Sequence, residues 1–238
     1  MIWRSRRAAD PIWDGVYERF ADLPASDAHA SSAWLDAVTR EVGLAREGDV
    51  GEDFVLEHEA LLLVLRGMSG EVRVLDFGGG VGQSYAWVKR VEPGIPIRWR
   101  VVELPEVVAR GRELFAGDDG IEFSTTAEQP ADIVFVKSAL QYVDDWSGTM
   151  AGLFALGARY VILEKFSGVA SRTYATAQVN LGDPIPYWFI SFDELFRIAD
   201  RSGYRRILWR RLPRLYDQSG FPAELRMSQA STIVFAKV

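Results

Sequence analysis

The sequence contains no cysteine, and its 238 residues include only two histidines, His29 and His58. The absence of cysteine excludes disulfide bonds, thiolate nucleophiles and cysteine-ligated zinc sites. Basic charge is not in excess either, since 27 basic residues stand against 33 acidic ones and the net charge is −6. A chain without a positive field is not drawn to nucleic acid or to anionic lipid. We therefore expect neither a nucleic acid nor a membrane among its partners.

Long apolar runs are also missing. The longest runs, such as residues 60–65, are far shorter than the roughly 20 residues that a membrane-spanning helix needs. Residues 1–7 carry arginines with no apolar stretch behind them, which is not the pattern of a secretory signal. The length fits one large domain, or one domain with a modest appendage. We expect a soluble cytoplasmic protein.

A glycine-rich segment follows the first clear strand pattern, an apolar run at 72–77. The residues Asp76, Gly78, Gly80 and Gly82 have the spacing acid-x-Gly-x-Gly-x-Gly and precede a helical pattern. Glycine lets backbone N–H groups approach a ligand closely, and the N-terminus of the following helix attracts negative charge. A Walker loop would need Gly-Lys-Ser/Thr, and a dinucleotide fingerprint would need glycine where the chain has Gln83. The spacing predicts a nucleotide-binding loop of another kind.

A second acid supports this interpretation. Glu103 stands 27 residues beyond Asp76, at the end of the next predicted strand, 97–102. Rossmann-like folds place an acid there, and it accepts hydrogen bonds from the ribose hydroxyls of a nucleotide. The position predicts that Glu103 binds a ribose.

The rest of the chain alternates between strand and helix patterns. Such apolar strands need cover on both faces, so we expect a mostly parallel sheet with helices on each side. Two closing strand patterns without a helix between them predict a C-terminal antiparallel hairpin. The predicted strands are 72–77, 97–102, 121–123, 132–137, 160–163, 204–211 and 232–237, which makes seven.

Two regions depart from this alternation. Residues 1–70 predict a helical N-terminal cap, with helices at 32–44 and 54–65 and no strong strand signal, ahead of a nucleotide-binding domain at 71–238. Residues 167–190 contain several glycines and prolines and predict an irregular insertion. A long interruption inside a compact domain is usually functional, so we expect this insertion on the acceptor side of the site.

The acid-glycine loop and the distal acid resemble those of class I S-adenosylmethionine (SAM)-dependent methyltransferases. The resemblance implies a Rossmann-like α/β fold with a seven-stranded sheet, SAM as cofactor and methyl transfer as the activity. It also implies a set of cofactor-binding residues: Asp76, Gly78, Gly79, Gly80, Gly82, Glu103 and Ser138.

Four segments narrow the resemblance to a family of bacterial methyltransferases associated with surface-polysaccharide gene sets. They are residues 76–85, 101–105, 138–142 and 177–178. This resemblance implies a small-molecule acceptor, such as a sugar or a sugar nucleotide, and O- or N-methyl transfer. Glu164-Lys165-Phe166 departs from the arginine-threonine-proline type of segment expected there.

The acceptor side is predicted from sheet topology, because the carboxyl ends of central strands line the ligand crevice. Gln141 and Tyr142 follow the fourth strand and are our candidate catalytic residues, with an aromatic ring suited to a cationic sulfonium. Gln178 and Trp188, in the irregular insertion, are candidate substrate-binding residues. A general base could be Tyr142, Glu164 or His58, and the sequence does not choose among them.

Other assignments remain open or are excluded. The ends of the fourth and fifth strands offer at most one carboxylate, Glu164, so we expect no metal site. The arginine cluster at 201–214 is either a solvated face at a sheet edge or a site for an anionic substrate.

One alternative function is an NAD-dependent oxidoreductase or epimerase, against which Gln83 stands. Another is a SAM-binding protein without catalytic activity.

Overall fold

The computed structural model describes residues 12–179, 184–215, 217–227 and 229–238. These residues form two β-sheets with helices packed on both faces of the larger one. The strands are β1 (Trp13–Tyr17), β2 (Val72–Phe77), β3 (Ile97–Val102), β4 (Ile121–Ser124), β5 (Ile133–Lys137), β6 (Tyr160–Phe166), β7 (Gly168–Val169), β8 (Tyr174–Gln178), β9 (Ile185–Ser191), β10 (Tyr204–Leu215) and β11 (Gln229–Lys237). The helices are α1 (Ser32–Glu47), α2 (Glu52–Leu56), α3 (Glu59–Arg66), α4 (Gln83–Val91), α5 (Pro105–Leu114), α6 (Trp146–Ala155) and α7 (Phe192–Arg201).

The larger sheet has seven strands in the order β10-β11-β6-β5-β2-β3-β4. Strands β6, β5, β2, β3 and β4 are parallel, whereas β11 is antiparallel to both β6 and β10. This arrangement confirms the predicted α/β class and the C-terminal antiparallel hairpin. The chain leaves β2 toward β3 and β4 and then returns to β5 on the other side of β2. The strand order therefore reverses at β2, and ligands of such sheets bind outside the carboxyl ends of the strands at this point.

The helices divide between the two faces of this sheet. Helices α1, α3, α4 and α5 cover one face, where Leu61, Trp87 and Trp99 are part of a buried cluster. Helices α6 and α7 cover the other face, where Phe154 and Leu195 are fully buried. Side chains cap two of these helices: Ser31 accepts a hydrogen bond from the Trp34 amide at the start of α1, and Asp145 accepts one from the Gly148 amide at the start of α6.

The smaller sheet corrects two expectations. Residues 167–190 were expected to be irregular, but β7, β8 and β9 lie there, and β1 lies in the N-terminal region where no strand was expected. The strand order is β1-β8-β9-β7. Both β8 and β9 are buried on both faces. Strand β9 therefore shows no alternation between apolar and polar residues, and the alternation in β8 is too short to mark a strand by itself. Residues 180–183 of the expected insertion lie outside the described part of the chain.

The chain passes from β6 directly into β7 of the smaller sheet, and β8 of this sheet pairs with β1 of the N-terminal region. Its two faces differ: Trp188 and Ile190 pack in the core beneath α6 and α7, whereas Tyr187 and Phe189 pack with Trp13 in a separate aromatic cluster. Within the described ranges, no helix combines the length and the apolar character that crossing a membrane requires.

The packing of α5 on the sheet gives a test of the fold. Gly111 on α5 faces β4, and an added Cβ there would lie 2.2 Å from the Phe123 ring. We expect Gly111→Ala to lower the free energy of unfolding by about 1–3 kcal/mol, because the overlap forces the helix away from the strand. The matched control is Gly43→Ala on α1, where nothing lies within 4 Å of the added Cβ. That variant should gain about 0.5–1 kcal/mol from helix propensity. Urea denaturation measures both values, and a stabilised Gly111→Ala variant would contradict the packing.

Candidate functional site

The glycine-rich loop lies between β2 and α4, at the point where the strand order reverses. Gly78, Gly80 and Gly82 all have positive φ angles, of 67°, 59° and 93°. Side chains with a Cβ rarely adopt this left-handed backbone, so the loop needs glycine to turn this tightly. The residues of the predicted motif therefore form one continuous bend over the carboxyl end of the sheet.

Glu103 fastens this loop to the end of β3. Its Oε1 accepts a hydrogen bond from the Gly80 amide at 3.1 Å, and its Oε2 accepts one from the Leu104 amide at 2.9 Å. Burial raises the pKa of Glu103, and the two backbone hydrogen bonds act in the opposite direction. A carboxylate has about four lone-pair positions, so two remain for hydroxyl donors of a ligand. Glu103 and the loop thus form one polar rim.

Asp76 lies beneath the loop and is fully buried. Its Oδ2 accepts a hydrogen bond from the Trp99 indole at 3.1 Å, whereas Oδ1 has no partner within the described residues. Burial raises the pKa of Asp76 to about 7. An added Cβ at Gly79 would lie 2.4 Å from this carboxyl group, so the loop and the acid are in direct contact. A buried oxygen without a partner needs either a proton or a donor supplied by a ligand or water.

The loop also touches the segment that follows β5. An added Cβ at Gly78 would lie 2.2 Å from the Cβ of Ala139, next to Ser138. Within the described residues, the non-glycine residues with positive φ are Ser138 (55°) and Lys165 (52°). They lie at the carboxyl ends of the neighbouring strands β5 and β6. Backbone conformations of this kind cluster at functional sites, where the surrounding structure maintains them.

Hydrogen bonds connect these two bends. The Ser138 amide donates to the Glu164 carbonyl at 3.0 Å, and the Gln141 side-chain amide donates to the Lys165 carbonyl at 3.2 Å. Gln141 is buried, with a relative exposure of 1%. The sequence analysis predicted a catalytic role for Gln141, but its amide holds the backbone of β6.

Tyr142 and Gln178, predicted to lie on the acceptor side, are in contact. The Tyr142 hydroxyl donates to the Gln178 side-chain oxygen at 2.7 Å. The Tyr142 ring also packs edge-on against His29, at 4.4 Å between centroids, and against Tyr187, at 5.0 Å. The segment after β5, the smaller sheet and the N-terminal region therefore meet at Tyr142.

Trp188 is not part of this group. It neighbours Tyr187 on β9 and therefore faces the opposite side of the sheet. Its indole N–H donates to the carbonyls of Val143 and Asp144, and its ring stacks on Phe20. The structure thus places Trp188 in the core, on the opposite side of the sheet from Gln178, the other candidate substrate-binding residue.

The sequence analysis missed an ionic cluster over the ends of β5 and β6. The ammonium groups of Lys137 and Lys165 lie 3.5 and 3.0 Å from the buried carboxylate of Glu57, which precedes α3. Arg210 on β10 pairs with Glu59 in the same way. These pairs fasten the α2–α3 segment to the sheet. No sequence signal marks partners that are separated by about 80 residues or more.

Two of the three candidate bases are enclosed in the fold. His58 is fully buried, with Nδ1 2.6 Å from the Phe54 carbonyl and Nε2 2.9 Å from the Ser84 hydroxyl. Burial lowers its pKa strongly. Glu164 is also fully buried and accepts a hydrogen bond from Thr232. Neither side chain can reach an acceptor molecule.

Among the residues that the structure describes, no three histidine, aspartate or glutamate side chains are placed to hold a metal ion.

The fold is similar to those of solved methyltransferases. A SAM-dependent methyltransferase from Methanosarcina mazei superposes with a TM-score of 0.54 at 11% identity, over 74% of this chain and 97% of that one. Magnesium protoporphyrin IX methyltransferase from Synechocystis PCC 6803 was solved with bound S-adenosylhomocysteine (SAH). It superposes with a TM-score of 0.52 at 13% identity, over 84% of this chain and 87% of that one. The CcbJ methyltransferase from Streptomyces caelestis superposes with a TM-score of 0.50 at 16% identity, over 76% of this chain and 90% of that one. No family model and no curated protein matches the sequence. At these identities the similarity is one of fold.

The buried acid on β6 predicts how stability depends on pH. Burial raises the pKa of Glu164 from 4.5 to about 8, so the folded state binds a proton more tightly than the unfolded state. Its stabilising contribution is present below pH 4.5 and is lost as the pH rises through 8. Glu164→Gln mimics the protonated acid, so its melting temperature should rise relative to the wild type between pH 5 and pH 9. Exposed Glu128→Gln is the control and should show no such trend. If the melting temperature of Glu164→Gln instead falls relative to the wild type as the pH rises from 5 to 9, the buried acid is ionised in the folded state.

Proposed function

We propose that this protein is a SAM-dependent methyltransferase that acts on a small-molecule acceptor. The observation that carries the proposal is the pairing of the Gly80 amide with Glu103, which joins the glycine loop to a ribose-type acid at the switch point of the sheet. The similarity to methyltransferase folds supports the same conclusion.

The residues of the site fit SAM on structural grounds. The left-handed loop at Gly78, Gly80 and Gly82 lets a ligand approach the backbone, and Glu103 retains lone pairs for both ribose hydroxyls. The unpartnered Oδ1 of Asp76 lies beneath the loop, where the amino acid part of SAM would bind. We propose Asp76, Gly78, Gly79, Gly80, Gly82, Glu103 and Ser138 as the cofactor-binding residues.

When bound, SAM supplies a methyl group that is already activated by the positive sulfonium. The chain then has to hold the acceptor in line with that group and exclude water. Tyr142 is the residue we propose for this task, because its hydroxyl is fixed by Gln178 and its ring borders the segment that touches Gly78. We assign Gln141 to positioning the Lys165 carbonyl, and we propose no contact between Trp188 and the acceptor.

Sugars or sugar nucleotides are the acceptor class that the sequence resemblance implies, with methylation at oxygen or nitrogen. The half-buried ring of Tyr142 supports an acceptor with an apolar ring face, since such a ring packs against the C–H surface of a planar or cyclic molecule. The net charge of −6 gives no field that would attract a nucleic acid. We propose a cytoplasmic location, as expected from the sequence.

An NAD-dependent oxidoreductase is less well supported. Tyr85 and Lys89 have the Tyr-x-x-x-Lys spacing that some of these enzymes use for proton transfer. However, Tyr85 is buried at 1% exposure, its hydroxyl donates to Asp118, and burial raises its pKa. A phenol that is buried and bonded in this way is not available to a substrate.

Nucleotide preference tests the proposed function. At about 100 times its dissociation constant, SAH should stabilise the fold by about 2.7 kcal/mol and raise the melting temperature, whereas NAD at the same concentration should not. Differential scanning fluorimetry measures both effects. Equal stabilisation by NAD would contradict the methyltransferase assignment.

The acid at the end of β3 gives a residue-level test. Glu103→Gln should weaken SAH binding by about 1.5–3 kcal/mol, because charge-assisted hydrogen bonds to the ribose are lost. Glu106→Gln is the matched control: this exposed glutamate lies in the first turn of α5, three residues away. Isothermal titration calorimetry should show near wild-type affinity for the control. If both variants bind SAH equally well, Glu103 does not contact the ligand.

A further inference from the structure

His29 occupies a position that the proposed function leaves without a role. It lies in the 3-10 turn Ala28–Ala30, just before α1, and its ring packs against Tyr142 and Trp34. The Tyr142 amide donates to the carbonyl of Ala139, the residue that touches Gly78 of the glycine loop. A short chain of contacts therefore connects His29 to the place where the donor would bind.

The imidazole of His29 is half-buried, and neither ring nitrogen has a hydrogen-bond partner among residues 12–179 and the other described ranges. The other histidine behaves differently, since both nitrogens of His58 are engaged within the fold. The His29 imidazole therefore presents two nitrogens that no group of the described residues engages, and it lies against Tyr142, the residue proposed to orient the acceptor.

The remaining titratable groups near the cleft are less suited to accepting a proton. Glu164 and His58 are fully buried. The Tyr142 hydroxyl donates its proton to the Gln178 side-chain oxygen. Lys137 and Lys165 are held by the Glu57 carboxylate.

We propose that His29 is a catalytic residue that accepts the proton of the acceptor group during methyl transfer. The inference rests on the proposed function and specifies it, because the acceptor must then carry a removable proton, as a hydroxyl or an ammonium group does.

The step is balanced in atoms and charge. The acceptor oxygen or nitrogen forms a bond to the methyl carbon, and the carbon–sulfur bond breaks with its electron pair left on sulfur. The proton of the acceptor passes to a free nitrogen of His29, which becomes an imidazolium and later releases the proton to solvent. The positive charge of the sulfonium thus leaves the site as a proton.

The surroundings of His29 favour its neutral form. Burial lowers its pKa from the ordinary value of 6.5, so the imidazole is unprotonated at neutral pH and able to accept a proton. The groups that pack against the imidazole are the aromatic rings of Tyr142 and Trp34, which displace water from it.

Histidine NMR tests this position without a known acceptor. The two histidines give two imidazole C2–H signals, and the variant His29→Gln assigns them. SAM and SAH differ only in one methyl group and one positive charge. If His29 lies beside the transferred methyl group, its pKa should be lower in the SAM complex than in the SAH complex by about half a unit or more, because like charges disfavour protonation. Buried His58 should not titrate and serves as the internal control.

Each outcome of this titration is decisive. A lower pKa with SAM supports the proposal, whereas equal pKa values in two saturated complexes overturn it and leave the methyltransferase assignment intact. Failure of both ligands to bind, as seen by calorimetry, overturns the proposed function and this inference together.

Kinetics then separates a proton acceptor from a structural residue. The acceptor is first found by screening sugars and sugar nucleotides with labelled SAM. The wild-type kcat should then decrease at pH values below the measured pKa of His29. His29→Gln should lower kcat about 10²–10⁴-fold, remove this dependence on pH and leave the SAH dissociation constant unchanged. A variant that keeps the wild-type pH profile would show that His29 only supports the fold.

Discussion

The candidate site depends on one carboxylate. Glu103 accepts hydrogen bonds from the loop after β2 and from the start of α5, so it fixes the two elements that border the switch point of the sheet. The Gly78 amide also donates to the Val102 carbonyl at the end of β3, so the loop is bonded to this side at two points. Such bonds matter because glycine residues impose little conformation of their own. The same acid is the residue we propose to hold the ribose. Structural support and ligand recognition are thus combined in one side chain.

A second constraint comes from the smaller sheet. Strand β1 pairs with β8, which places the N-terminal region beside residues that follow it by about 160 positions. Tyr142 lies where this sheet, the 3-10 turn with His29 and the segment after β5 meet. The N-terminal region therefore contributes side chains to the acceptor side, and it is held there by strand pairing and by the Glu57 ion pairs.

The sequence predicts those parts of the molecule that local rules determine. The apolar strand at 72–77 and the amphipathic helix at 32–44 follow from local chemistry, and the structure confirms both. The smaller sheet could not be predicted, because β8 and β9 are buried on both faces and because the pairing of β1 with β8 spans most of the chain. Likewise, Glu57 and His29 are recognised only when the fold brings them to Lys165 and Tyr142. The roles of Glu103, Ser138 and Gln178 remain predictions.

A crystal structure of the protein soaked with SAH tests the central claim most directly. The account predicts that the ligand lies over the loop at residues 78–82, with its ribose hydroxyls within hydrogen-bond distance of Glu103 and its sulfur on the side of Tyr142. Electron density for SAH elsewhere on the molecule, or over the loop with its ribose away from Glu103, would contradict it.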